Sequence, residues 1–329
     1  MKAFMAPLQG LAEFEQIKEK SKTNKGILQV SGCMESQKSH LMYGLSETAS
    51  YRLILAEDER RAREIYEDYR FYDKKIYSYP AKDLLFFQAD IHGNLLIRQR
   101  MQVIRALLER EDEITVVTSI DGCMDYLAPL EKIEKQLIHF RNDSTLDMDK
   151  LTAALVHMGY ERVGQVEMPG QFSIRGGIID IYSLTEENPW RIELWGDEID
   201  SIRTFDPDSQ RSVDTMEEIV VYPAAELVLT REQKSTGLDR IVKEGKKITE
   251  RFRKEMKTQE AHRLQEAVDL LKEQVEELGS LRAAESYLTY FYQDTVGFLE
   301  FASRCAGAQE QKLLIFIDEP ARCLEKASA

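Results

Sequence analysis

The sequence predicts an α/β protein: a parallel-sheet domain, split along the chain, with a smaller α+β domain inserted in it. Three observations carry this. Apolar runs at Tyr51–Ala56 (YRLILA), Ile114–Thr118 (ITVVT) and Leu313–Ile317 (LLIFI) alternate with charged helical segments, the pattern of a parallel sheet covered on both faces. Between the second and third runs, Gly170–Ser212 shows short period-two strands punctuated by Gly176-Gly177, Asn188-Pro189 and Gly196-Asp197, which reads as a compact antiparallel unit. At 329 residues the chain also exceeds what one core comfortably serves, so about two domains are expected.

Composition narrows the function classes. With 44 Lys and Arg against 58 Asp and Glu the net charge is −14, which repels nucleic acid on average, so a DNA grip would need a local basic patch. Cys33, Cys123, Cys305 and Cys323 have no CxxC spacing and the five histidines are scattered, so neither a metal site nor a disulfide framework is expected. No signal-peptide core and no apolar run near 20 residues is present, and a cytoplasmic protein without membrane contact is the expectation.

Taken in order, a helix to Lys20 precedes a short strand at Gly26–Ser31 that runs into Gly32-Cys-Met-Glu-Ser-Gln37-Lys38-Ser39. This is almost the phosphate loop GxxxxGK[ST], in which Gly at the sixth position lets backbone N–H groups wrap a phosphate, Lys adds charge and Ser or Thr binds Mg²⁺. Here Gln37 occupies the sixth position and Glu35 puts a negative charge in the cradle, so a strand-to-helix turn without its ligand is expected. The strand Tyr51–Ala56, a helix over Glu57–Phe71 and a strand over Lys75–Tyr79 follow. Phe86 and Phe87, beside Leu84 and Leu85, read as core rather than as a base-stacking pair. A helix over Asn94–Arg110 has an apolar stripe with Arg98, Arg100 and Arg105 on its solvated face. After Ile114–Thr118, Ser119 and Asp121 are candidate helix caps, and Leu146–Met158 forms a helix opening on Asp147 and Asp149.

Residues 151–222 contain no lysine, and five arginines stand there among fourteen acidic side chains. Arginine's planar fork suits carboxylate pairing and interface hot spots, with ion pairing inside the domain as the equal alternative. Alternation puts Arg191 and Glu193 on one strand face with Ile192 and Leu194 on the other, and Ser173 with Arg175 opposite Phe172 and Ile174. Past Pro223, apolar positions from Ile241 to Leu278 recur at helical spacings; the interruption of the stripe between Met256 and Leu264 favours a solvated amphipathic helical region stacked on its own domain over a coiled-coil partner site, with antiparallel packing of part of it as two helices left open. The strand ending in Asp318-Glu319 resembles the carboxylate-bearing strand of an ATPase and completes the sheet begun by Gly26–Ser31.

The runs Gly170–Tyr182, Arg191-Ile-Glu193, Gly196–Arg203 and Phe205–Ser212 resemble the UvrB-like N-terminal module of bacterial transcription-repair-coupling factors, strongly over Tyr160–Pro223 and weakly elsewhere. The resemblance implies a degenerate P-loop-type (RecA/helicase-like) α/β domain formed by residues 1–135 and 224–329, with an inserted UvrA-binding-like α+β domain over 136–223. It implies UvrA as partner, met by Arg162, Phe172, Arg175, Arg191 and Glu193; Ser173 stands where the UvrB motif has an arginine. Gly32, Gln37, Lys38, Ser39, Asp318 and Glu319 then form an inactive nucleotide site, with no cofactor and no ATP binding expected. RNA polymerase and DNA are expected to be met only through C-terminal domains of the longer relatives. The expected function is a non-catalytic adaptor of transcription-coupled nucleotide excision repair that recruits UvrA to stalled polymerase; the alternatives are an ATP-binding UvrB-like domain or a direct DNA-binding module.

Overall fold

The computed structural model describes residues 2–23, 26–82, 90–278, 287–308 and 310–328; the Leu84–Phe87 group lies outside them. The chain divides into two units. One comprises Met1–Lys82, Gln99–Asp125 and Gly297–Ala329, the other Asp83–Arg98 and Tyr126–Val296.

The first unit is built on β1 (Tyr51–Ala56), β2 (Ile76–Tyr79), β3 (Ile114–Ser119) and, from the far end of the chain, β14 (Leu313–Ile317). They pair in parallel in the order β14-β1-β3-β2. Every residue of β1 and β3 is buried, which is why these central strands read as predominantly apolar runs rather than as a period-two alternation. The helix Glu59–Arg70 starts where Asp58 accepts a hydrogen bond from the Arg61 N–H, and it buries Ala62, Ile65 and Tyr69. A parallel α/β sheet assembled from both ends of the chain is thus present.

Two expectations in this unit are corrected. Gly26–Ser31 forms no strand: no ladder partner takes it up, β14 lies at the end of the sheet, and Ile27 is 99% exposed. A short apolar run without a neighbouring strand to satisfy its backbone has nothing to hold it extended in a sheet. Arg100, expected on a solvated helix face, is 1% exposed. Its guanidinium pairs with Asp125 at 2.7 Å, donates to the Pro80 carbonyl and the Tyr79 hydroxyl, and lies 4.0 Å over the Tyr79 ring. A buried charge is tolerable when it is paired and its donors are used, as here.

The second unit contains β4 (Tyr126–Leu127), β5 (Ile138–Arg141), β6 (Glu161–Arg162), β7 (Gln171–Arg175), β8 (Ile178–Ile181), β9 (Trp190–Trp195), β10 (Glu198–Phe205), β11 (Ser212–Met216), β12 (Glu218–Val221) and β13 (Val296–Gly297), the last reaching one residue into the first unit. Strands β6 to β11 form a six-stranded sheet in sequential order, antiparallel except for the β6–β7 pair, while β5 pairs with β12. One sheet face buries Phe172, Ile179, Ile181, Ile192, Ile199 and Ile202. Leu151 and Leu155 of the helix Met148–His157, with Phe140, Ile219 and Val221, share this core. At roughly 1.5–3 kcal/mol per fully buried aliphatic or aromatic side chain, these residues are the main stabilising contribution of the unit.

The helices Arg231–Lys254 and Thr258–Leu278 pack against each other through Gly245, where an added Cβ would lie 2.8 Å from a Val268 methyl. The joint between them places Met256 at φ 58°, at the interruption of the apolar stripe read from the sequence. Among the described residues no helix is long and apolar enough to cross a membrane.

Candidate functional site

The outer face of the six-stranded sheet is polar, and strand register fixes which side chains meet on it. Ser173, Asp180, Arg191 and Arg203 lie opposite one another across β7, β8, β9 and β10, and Arg175, Ile178, Glu193 and Ser201 form the next row. Asp180 is 1% exposed and is the centre of this face. Its carboxylate accepts from Arg191 Nε at 2.7 Å, from Arg191 Nη2 at 2.9 Å and from Arg175 Nη2 at 2.7 Å. These are charge-assisted bonds, and the Arg191 pair is bidentate, which fixes the plane of its guanidinium.

Arg191 is further held by Gln210, which accepts from Nη2 at 3.0 Å, and by the buried Phe205 ring, 4.3 Å from the guanidinium carbon. Bonding to Asp180 outweighs partial burial and raises the Arg191 pKa above the usual arginine value. In the second row Glu193 pairs with Arg203 at 2.5 Å. Ser173 donates to the Gly164 carbonyl at 2.9 Å, so the serine in the arginine position of the motif is buried and locally bonded.

The structure therefore brings Arg175, Arg191 and Glu193 onto one face but not the other two sequence candidates. Phe172 is 0% exposed and belongs to the core, where it anchors β7 rather than meeting a partner. Arg162 is exposed on the edge strand β6, in register with Phe172 and hence on the opposite side of the sheet from Arg175.

Two residues of the face escaped the sequence reading. Asp180 is one acid among fourteen in its region, and only its place opposite Arg191 marks it. Trp195 follows Arg191 and Glu193 at period two on β9, and its 83% exposure makes it the outstanding apolar group beside these charges. The period was legible; the exposure was not.

The loop Gly32–Ser39 also takes a definite form. Gly32 has φ 84° at an exposed bend, and the helix Glu35–Gly44 begins three residues later. Gln37, in the position of the missing glycine, turns its side chain back to accept from the Met34 N–H at 3.1 Å, and so closes the helix N-terminus on itself. Ser39 is buried.

The Lys38 ammonium lies 2.8 Å from Glu35, 2.8 Å from Asp318 and 2.7 Å from Glu319, one carboxylate for each of its donors. Partial burial opposes the charge, but hydrogen bonds from these acids raise its pKa well above the lysine norm. Arg61 completes the cluster, pairing with Asp318 at 2.7 Å and with Glu35. Although burial favours the neutral acid, the bonds from Lys38 and Arg61 hold Asp318 below its ordinary value. Nothing in the run Arg60–Arg63 singled out Arg61; its role arises from the return of β14 beside β1. Sequence-distant Lys38 and Asp318-Glu319 are thus brought together, and they neutralise each other.

Residues 138–227 match the UvrB interaction domain family, so the β-rich unit carries a UvrB interaction domain. Over much of its length the chain is homologous to transcription-repair-coupling factors. It is 31% identical over 313 residues to the Bacillus subtilis transcription-repair-coupling factor, a match covering 90% of this chain and 26% of that relative. Its similarity to the factor of Staphylococcus aureus strain USA300 is 36% over 159 residues, and to that of Staphylococcus haemolyticus 36% over 156 residues, each covering 13% of the relative. The chain therefore spans about a quarter, or less, of the length of these relatives.

Proposed function

We propose that this chain is a non-catalytic adaptor module of transcription-coupled nucleotide excision repair, which recruits UvrA through the outer face of the β7–β10 sheet. The observation that carries the reading is one sheet face on which Arg175, Arg191, Glu193 and Arg203 are held in fixed pairs beside the exposed Trp195. Arginine and tryptophan are the residue types that dominate interface energetics, and side chains already immobilised lose little entropy on docking. The UvrB interaction domain match over 138–227 and the likeness to repair-coupling factors point to the same partner.

In this reading residues 136–223 are the docking domain, and residues 1–135 with 224–329 form the split α/β domain that mounts it. The mount is non-catalytic because Gln37 closes the loop and three carboxylates occupy Lys38. A phosphate would have to displace all three. The test is size-exclusion chromatography of the chain with purified UvrA. Co-elution is expected, with loss of the complex in Arg175→Glu/Arg191→Glu and in Trp195→Ala; no co-elution, or a complex indifferent to both variants, would sink the proposal.

A further inference from the structure

The molecule carries net charge −14, but residues 231–257 contain ten Lys and Arg against five Asp and Glu. Their distribution on the helix Arg231–Lys254 is one-sided. The buried positions Leu238, Ile241, Gly245 and Thr249 define the face packed inward. At 100° per residue, Lys243, Lys247, Arg251 and Lys254 fall on the opposite arc, Lys246 and Arg253 lie at its flank, and all six are exposed. Glu250 lies among them and Glu244 at their edge, so over the last three turns the cations outnumber the acids there by six to two.

Lys247 pairs with Glu244 at 3.2 Å, whereas Lys243, Lys246, Arg253 and Lys254 have no ion pair among the described residues. Cations in the last turn, Arg251, Arg253 and Lys254, complement the helix dipole. Lys243 and Lys246 lie upstream of that turn, where the dipole effect has fallen off, and their charge is left facing solvent.

We infer that this arc is a docking surface for the phosphate backbone of double-stranded DNA. From Lys243 to Lys254 the cations span roughly 16 Å along a rigid helix at about 1.5 Å per residue. A duplex presents one phosphate charge per about 1.7 Å of axis, so a row of this length meets several phosphates wherever it lands. The arc holds no aromatic side chain on which an unpaired base could stack, and no apolar anchor of the kind a protein interface uses. Charge without stacking or apolar contact selects an intact duplex over a single strand or an acidic protein. The surface is separate from the sheet face assigned to UvrA, and it departs from the expectation that DNA is met only outside this chain; the overall negative charge makes the contact weak and local.

The experiment is fluorescence anisotropy of a labelled duplex of about 20 base pairs titrated with the 329-residue chain. Binding is expected at about 25 mM KCl, weakening roughly 50-fold by about 100 mM, as release of counterions from three or four phosphates requires. Lys243→Glu/Lys246→Glu/Lys247→Glu should lower affinity at least tenfold with an unchanged circular-dichroism melt. Arg60→Glu/Arg63→Glu/Arg70→Glu makes the same change in net charge on another exposed helix face and should bind as the parent does. Absence of binding at low salt, equal losses in the two triple variants, or equal competition by a single strand or by polyglutamate at matched charge would each overturn the inference.

Discussion

Replacing Asp180 by Asn tests whether the outer sheet face is organised by a single carboxylate. Asp180 is 1% exposed and takes three charge-assisted hydrogen bonds, two from Arg191 and one from Arg175. Removing one member of a fully buried ion pair costs about 3–5 kcal/mol. Here the arginine side chains are 46% and 17% exposed, so both cations can turn partly to water, and the cost falls to about 2–3 kcal/mol. For a unit of this size that lowers the melting temperature by about 5–10 °C, read by scanning calorimetry. In a double-mutant cycle Asp180→Asn and Arg191→Gln should couple by at least about 1 kcal/mol, because the second change removes the cation the first leaves unpaired. A melt within about 2 °C of the parent, or additive single effects, would refute the view that Asp180 positions the two arginines.

Trp195→Ala should leave the melt unchanged, since the ring is 83% exposed, yet weaken UvrA capture at least tenfold by equilibrium titration. The pH dependence of the first unit follows from Asp318, whose folded pKa lies below its ordinary 3.8. Its contribution to stability is present above about pH 4 and is lost as pH falls through the lowered folded value, so acid melts of the parent should steepen below about pH 4 and those of Asp318→Asn should be flatter. Gly237→Ala would place a Cβ 2.0 Å from the Phe291 ring. Overpacking of about 1–3 kcal/mol competes with a helix-propensity gain near 1 kcal/mol, so a net loss is expected in denaturant titration, and stabilisation would contradict the close approach.

The strands of the parallel sheet were legible because β1 and β3 are buried on both faces and so are mostly apolar, with few polar residues to break the run. The inserted sheet was legible for the opposite reason, its alternation: Ile192 went inward, Arg191 and Glu193 outward. Gly26–Ser31 carries the same apolar signal without forming a strand, because pattern reports what a segment could bury and not whether a neighbour is present to pair with it. Arg100 and Arg61 failed for a related reason. Their partners, Tyr79 and Asp125 for one and Glu35 and Asp318 for the other, are brought in by the tertiary fold from 21 to 257 residues away along the chain. Local sequence gives a side chain's address on its helix; burial of a charge depends on who arrives opposite it.

The Lys38 cluster ties the two ends of the first unit together by groups that belong to the chain itself. A fold closed around a diffusible nucleotide gains stability in proportion to the logarithm of ligand concentration, and slackens when that pool is drained. Glu35, Asp318 and Glu319 are tethered ligands: they cannot be diluted, hydrolysed or exchanged, and they join the start of the sheet domain to its last strand. The stability these pairs contribute is therefore independent of the concentration of any diffusible ligand.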